Sequence, residues 1–409
     1  MNIWLVNHYA LPPTDTGITR HHDFARCLQR LGHDVTIVAS SFDHYRRLDD
    51  RVPRGQRFAV ELVDDVRYVW VRTPPYGAGT LARSRNMVSF ANALPRLGRR
   101  VSISTPDVVM GSSPHLLTPL GAWFASRRAH AAFVFEVRDV WPDALVELGG
   151  PSAHHPAVAV LRRIERLLYR RAHRVVSLLP HVGGHIADAG GDLAKLRYIP
   201  NGVPAPLAPV APLPPRDGPL TMTYAGTFGH ANQLGVVLDA ARILESGPGA
   251  SPVQWRLVGL GPDAEMLRDR VRTERVASVS IEGPVAKHDV AAVLAEGHAC
   301  LLHLRDSPVF RYGVSPNKLF DYFAAGRPVL FAVSTPADPV AEAGAGISCA
   351  PSDPEALAAA ASDLALRSPA ELQVMGTNGR RFLEQHHMVD TLAERLADVF
   401  AEAVAEHTR

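Results

Sequence analysis

Apolar residues fall into short runs separated by helical periodicity along most of the chain. Ile3 to Val6 is the first run, a 3.6-residue pattern covers about Gly17 to Leu31, and the strand-like Asp34-Val-Thr-Ile-Val-Ala39 follows. Further strands are predicted at Val69-Trp-Val71, Asp107-Val-Val-Met110, Phe133-Val-Phe135 and Arg174-Val-Val-Ser177, with helices between them. The alternation stops at residues 204–218, whose dense prolines can sustain neither a helix nor a central strand. It restarts at Leu220-Thr-Met-Thr-Tyr-Ala225 and continues through strands near Gln254 to Val258, Val279 to Ile281, Ala299 to Leu302 and Val329 to Phe331. Repeated strand–helix units imply parallel sheets covered on both faces. The chain is therefore predicted to be α/β, with two doubly wound domains facing a central cleft. The expected boundaries are 1–203, a linker at 204–218, 219–385, and a C-terminal helix at 386–409 that packs back on the first domain.

Length and charge agree with that division. The 409 residues are too many for one usual core, and a 46% hydrophobic fraction with a net charge of +2 describes a globular protein without a global bias toward nucleic acid. Three scattered cysteines fit a reducing cytoplasm. The first residues lack the basic lead and cleavage site of a signal peptide and read as a strand, and no apolar stretch reaches membrane-spanning length. Nineteen histidines offer no ligand spacing, so no metal is expected. Two arginine-rich segments, Arg83 to Arg100 and Leu161 to Ala172, could meet anionic lipid, although a solvated helix face explains either alone.

Ligands of doubly wound sheets bind at the carboxyl ends of the strands. Three glycine turns fall there: Thr14-Asp-Thr-Gly17, Ala225-Gly-Thr-Phe-Gly229 with Gly226 and Thr227, and Gly259-Leu-Gly-Pro262. None has the full dinucleotide spacing. Richer is Gly313-Val-Ser-Pro-Asn-Lys-Leu-Phe-Asp-Tyr322, where Ser315 is an expected N-cap and Pro316 a first helical residue. Val314, Asn317 and Lys318 then surround a helix N-terminus suited to phosphate, and Asp321, on the Lys318 face, suits ribose hydroxyls. A capped helix with a surface Lys–Asp pair fits the same residues. In the first half, Glu136-Val-Arg-Asp-Val-Trp-Pro-Asp143 leaves a strand end, placing Arg138, Asp139 and Trp141 beside a polar ligand, with His8 and His115 near other strand ends.

Taken together these segments, with Asn7-His-Tyr-Ala-Leu-Pro-Pro13 and Ile199-Pro-Asn-Gly-Val203, resemble the retaining glycosyltransferases of family 4. That family has the two-domain, Rossmann-like GT-B fold. Within it the chain looks like the bacterial amino-sugar and fucosamine transferases of surface-polysaccharide synthesis. The resemblance implies a nucleotide-sugar donor, uridine-linked, in the second domain, and a glycan, lipid-linked or small-molecule acceptor in the first. It implies no cofactor and no metal. Composition points to a cytoplasmic enzyme without a nucleic-acid partner, and the two arginine-rich segments leave peripheral contact with anionic membrane open. Asp321 matches the second acid of the family's paired-acid motif, and Val285 matches a main chain that reads the base. Gly313 stands at the first acid, leaving the amides of Val314 and Ser315 to meet the sugar. Gly229-His-Ala-Asn-Gln-Leu234 stands where relatives carry a basic pair, so Lys318, Arg305 and Gly17 are the expected phosphate contacts. Arg138 and Asp139 take the catalytic position, orienting acceptor or sugar. A sugar-nucleotide epimerase of the same fold and a non-catalytic partner protein are the alternatives.

Overall fold

The computed structural model describes residues 1–409 except 16–18, 45, 78, 148–149, 248 and 250. Two compact units divide the chain: Met1–Pro200 with Val389–Arg409, and Asn201–Met388.

The first unit has strands β1 (Asn2–Val6), β2 (Asp34–Ser40), β3 (Phe58–Val63), β4 (Val66–Val71), β5 (Val108–Ser112), β6 (Ala132–Val137), β7 (Arg174–Ser177) and β8 (Leu196–Tyr198). Their spatial order is 3-4-2-1-5-6-7-8. Every pairing is parallel except β3 with β4, a hairpin turned by Asp64 and Asp65, both at positive φ. Helices α1 (Arg20–Arg30), α2 (Thr80–Ala93), α3 (Leu97–Arg100), α4 (Leu117–Ala129), α5 (Asp143–Glu147), α6 (Pro156–Arg171) and α7 (Gly183–Asp188) fill the connections. Strands β1, β2, β5 and β6 are buried over nearly their whole length, as a sheet covered on both faces requires. One residue shows how closely helix meets sheet: a Cβ on Gly111 of β5 would lie 2.7 Å from the Ala122 methyl of α4.

The second unit repeats the plan with β9 (Leu220–Thr227), β10 (Val253–Leu260), β11 (Val279–Glu282), β12 (Ala299–His303), β13 (Val329–Ala332) and β14 (Gly346–Cys349), all parallel, in the order 11-10-9-12-13-14. Its helices are α8 (Gly235–Glu245), α9 (Ala264–Glu274), α10 (Val290–Ala295), α11 (Asn317–Ala324), α12 (Pro339–Ala343), α13 (Pro354–Leu366) and α14 (Pro369–His386). Residues 204–218 carry no helix or strand and lie along this unit. Arg327, fully buried, donates to the main-chain carbonyls of Ala211 (3.0 Å), Pro212 (3.1 Å), Leu294 (3.3 Å) and Ala295 (2.7 Å), tying the proline segment to the end of α10.

The chain then completes the first unit with α15 (Val389–His407). Its apolar face, including Leu392, Leu396, Val399 and Phe400, joins α1 and the Val108 and Met110 side of β5 in one core. Among the described residues no helix is long and apolar enough to cross a membrane.

Candidate functional site

In the second unit the strand ends of β9 and β10 run side by side, Gly226 opposite Gly259. A Cβ on Gly259 would fall 1.8 Å from the Gly226 carbonyl, and one on Gly261 would fall 2.1 Å from that of Phe228. These glycines are required by main chain meeting main chain. The Tyr224 hydroxyl donates to the Thr227 carbonyl (2.7 Å), as does the Asn232 side-chain amide (3.0 Å). Lys318 of α11 reaches into this corner. Its Nζ donates to the Tyr224 hydroxyl and to Asn232 Oδ1, each at 2.8 Å, and lies 4.4 Å from the Tyr224 ring centre.

The residue is half-buried, but its ammonium sits among protein atoms, and burial pushes it down to about 7 from the ordinary lysine value. Gly226 lies directly beneath: a Cβ there would be 3.2 Å from Nζ. Behind the corner, buried His303 fixes the loop. Its Nε2 accepts from the Ser352 amide (3.1 Å), so the ring proton is on Nδ1, which donates to the Asn232 carbonyl (2.8 Å).

One turn on, Asp321 pairs with Lys287 through both carboxylate oxygens, at 2.8 and 3.0 Å. Thr227 and Val285 are exposed, and Gly229 is half-buried. Arg305 contacts His230 at the surface.

The first unit holds a buried ion network at the end of β6. Arg20 Nε donates to Glu136 Oε1 (3.0 Å), and its terminal nitrogens reach the carbonyls of Ile199 (2.9 Å) and Pro200 (2.5 Å). His21 Nε2 lies 2.9 Å from Ser112 Oγ and 3.3 Å from Glu136 Oε2. Burial alone would raise the Glu136 carboxyl, but Arg20, helped by His21 and Arg138, holds it well below the usual range. Burial in turn lowers Arg20 to about 10. Beside the network, Ser113 Oγ accepts from the amides of Arg138 (2.8 Å) and Asp139 (3.2 Å) and so shapes the loop that carries them. Desolvation by the surrounding protein raises the Asp139 carboxyl against the pull of Arg138.

The profile of the glycosyl transferase 4-like domain matches residues 16–202, and that of the glycosyl transferases group 1 matches 219–366. The chain is a family 4 glycosyltransferase of the GT-B fold. It is similar to the glycogen synthase of Mycobacterium tuberculosis, 26% identical over 420 aligned positions that cover 98% of this chain and 95% of that protein. Among solved structures it resembles the sucrose-phosphate synthase of Thermosynechococcus elongatus, at TM-score 0.76 and 17% identity over 99% of both chains. It also resembles Anabaena HepE in complex with UDP and glucose, at TM-score 0.68 and 14% identity, covering 98% of this chain and 99% of that one.

Several sequence expectations for this glycosyltransferase are corrected by its geometry. Ser315 is not an N-cap: α11 starts at Asn317, and Pro316, expected as its first helical residue, is itself extended (ψ 126°) and takes the cap position. The Ser315 hydroxyl accepts from the Asn201 amide (3.0 Å), and its carbonyl accepts from the Asn201 side chain (2.6 Å). Lys318 is not an open charge at the helix terminus but is folded back onto Tyr224 and Asn232. Lys318 and Asp321 share a helix face yet have separate partners. His8 and His115 are not exposed to an acceptor: each is 2% accessible, and they face each other at 3.0 Å. Burial lowers both, His8 to about 3.

Gly313 is buried at φ +97°, a conformation that disfavours a side chain and so fits the missing acid. Val314 and Trp141 are half-buried, and Asn317 is exposed. Gly17 lies outside the described residues. Sequence reasoning missed Tyr224, Asn232 and His303 around Lys318, and Arg20, His21 and Glu136. The last group was legible only as charges placed where two strand ends meet the core.

Proposed function

We propose that this glycosyltransferase moves a sugar with retention, without a metal, from a uridine-diphosphate donor to a lipid-linked glycan, and that the sugar is an N-acetylated or deoxy hexose. The observation that carries the reading is Lys318, held between Tyr224 and Asn232 beside Gly226, an ammonium on which a diphosphate could draw. Around it the main chain of Gly226, Thr227, Gly229, Val314 and Ser315 and the free turn at Asn317 supply amide donors of the kind that bind phosphate oxygens. Asp321 exchanges Lys287 for the ribose hydroxyls, and the main chain at Val285 reads the base.

Front-face attack suits such a site, because the leaving diphosphate takes the acceptor proton and the protein's task is to stabilise the charge it develops. Arg138 and Asp139, held by Ser113 and backed by the Arg20–Glu136 pair, orient the acceptor. His8 and His115 support that surface from beneath. HepE in complex with UDP and glucose favours a uridine donor by analogy of fold. Three unpaired cysteines fit a cytoplasmic enzyme. Among the described residues, no group of three or more His, Cys, Asp or Glu side chains is placed to hold a metal ion.

Radiolabelled uridine-, guanosine-, thymidine- and cytidine-diphosphate sugars, each incubated with a lipid-extract acceptor pool with and without chelator, test the reading. Transfer from uridine donors with retained anomeric configuration, undiminished by chelator, is the expected result. Preference for another base, inversion, release of an epimerised donor, or magnesium-restored activity would overturn it.

A further inference from the structure

Helices α2, α4 and α6 lie side by side on one face of the first sheet, with α4 between the other two and α3 closing the end of α2. Segments 80–100, 117–129 and 156–171 together hold twelve arginines, and all twelve are exposed. The same segments hold one acid, Glu165, which is buried against His185 (2.6 Å) and Tyr169 (3.2 Å). Of the twelve, Arg162 faces the α5 carboxylate of Asp143 at 3.5 Å. The chain's net charge is only +2, so this concentration is balanced elsewhere. Part of the balance lies on the opposite face of the same sheet, where α15 carries Asp390, Glu394, Asp398, Glu402 and Glu406. Gly111 and the Val108–Met110 pair establish the two faces: Gly111 abuts α4, and its neighbours in β5 pack with α15.

Apolar side chains stand among the arginines. Leu81 is 84% exposed, Val160 51%, Phe124 47% and Val88 45%. Between α2 and α4 runs a groove of about 570 Å³ lined by Asn92, Pro95, Arg96, Phe124, Arg127 and Arg128. The guanidiniums of Arg127 and Arg171 lie 5.6 and 5.9 Å from the Trp123 ring centre, which holds them at this surface.

We infer that the α2–α4–α6 face of the first unit seats on an anionic lipid bilayer, its α2–α4 groove taking an acidic headgroup and Leu81, Phe124 and Val160 entering the interface. Arginines draw the face to the negative surface, and aliphatic and aromatic groups gain by leaving water there. A nucleic acid would satisfy the charge but offer nothing to four exposed apolar side chains. The inference rests on charge distribution, and it extends the proposed function by bringing the enzyme to where a lipid-linked acceptor resides.

Co-sedimentation of the full chain with phosphatidylcholine vesicles, with and without phosphatidylglycerol, tests it. Binding to the acidic vesicles alone, weakened by salt, is expected. Each arginine near such a surface contributes roughly a fivefold gain in partition, so Arg127→Gln with Arg128→Gln should lower it about 25-fold. Phe124→Ser should lower the salt-resistant part several-fold. Arg268→Gln with Arg272→Gln, exposed on α9 of the second unit, should change nothing. Circular dichroism of each variant reports whether it is folded, and loss of vesicle binding with UDP binding intact leaves the donor reading standing. Equal binding to neutral vesicles, equal loss from the α9 pair, or capture by homopolymeric RNA in preference to acidic vesicles would refute the inference.

Discussion

If Lys318 neutralises the donor diphosphate, binding must take up a proton. Burial holds the free ammonium near 7, so about half the molecules carry the charge at pH 7 and roughly a tenth at pH 8. A diphosphate at hydrogen-bond distance favours the charged form and raises that value. If only the charged form binds, the apparent dissociation constant is the intrinsic one divided by the charged fraction. It should then rise roughly fivefold from pH 7 to 8 and approach tenfold per unit above. Calorimetric titration of UDP in two buffers of different ionisation enthalpy measures the uptake directly: about half a proton at pH 7 and nearly one at pH 8. Lys318→Met should abolish both effects and weaken binding at pH 7 by about 10- to 150-fold, the range for a hydrogen bond to a charged group.

The same shift has a stability counterpart. Its folded value lies below the unfolded one, so the unfolded chain holds the extra proton between about 7 and 10. Stability attributable to Lys318 therefore rises with pH across that window and is lost as pH falls toward 7. Up to about 5 kcal/mol is at stake, an upper bound because the side chain keeps partial exposure. A dissociation constant that stays flat from pH 7 to 8.5, or an identical slope in Lys318→Met, would remove Lys318 from the phosphate site.

Glu136→Gln strands the buried Arg20 charge and should cost about 3–5 kcal/mol in urea unfolding, whereas Arg20→Met with Glu136→Leu should stay within roughly 1 kcal/mol of the parent. Because the Glu136 carboxyl is depressed, its stabilisation should be present above the ordinary carboxylate pKa and lost as pH falls below it. Tryptophan fluorescence follows this unit well, since Trp4, Trp70, Trp123 and Trp141 lie in it and Trp255 does not. Asp321→Asn should weaken UDP at least about tenfold while sparing pyrophosphate competition, and Lys287→Ala, by freeing Asp321, should tighten UDP up to about fivefold. Equal losses for UDP and pyrophosphate would mean structural damage instead. Arg327→Ala removes the donor to four main-chain carbonyls and should expose residues 204–218 to limited proteolysis before the second unit unfolds, with Arg327→Lys only partly restoring protection because an ammonium lacks the planar fork.

What the sequence made legible was governed by burial on both faces. Strands β1, β12 and β13 read as continuous apolar runs because parallel sheets have no wet side. Strand β3 escaped notice because it is an exposed edge, with Val60 and Leu62 half or more accessible and an Asp64–Asp65 turn in place of the usual glycine signal. At the site, Lys318 and Asp321 could be picked out because helix start and spacing are local properties. The hydrogen bonds to Tyr224 and Asn232 join residues 94 and 86 positions away in the chain, which no local pattern encodes. The Ser315 expectation failed for a related reason: a good cap residue was taken by the distant Asn201 amide.

The discontinuous first unit has a consequence for biosynthesis. Everything in Asn201–Met388 leaves the ribosome before α15 does, so the second unit can reach its final state while the first still lacks its closing helix. Until then the α1 side of the first sheet shows water the surface that Val389, Leu392, Leu396, Val399 and Phe400 will cover. The half of the protein made first is thus finished last, and the interval in which it is open to chaperones is set by how long the other half takes to translate.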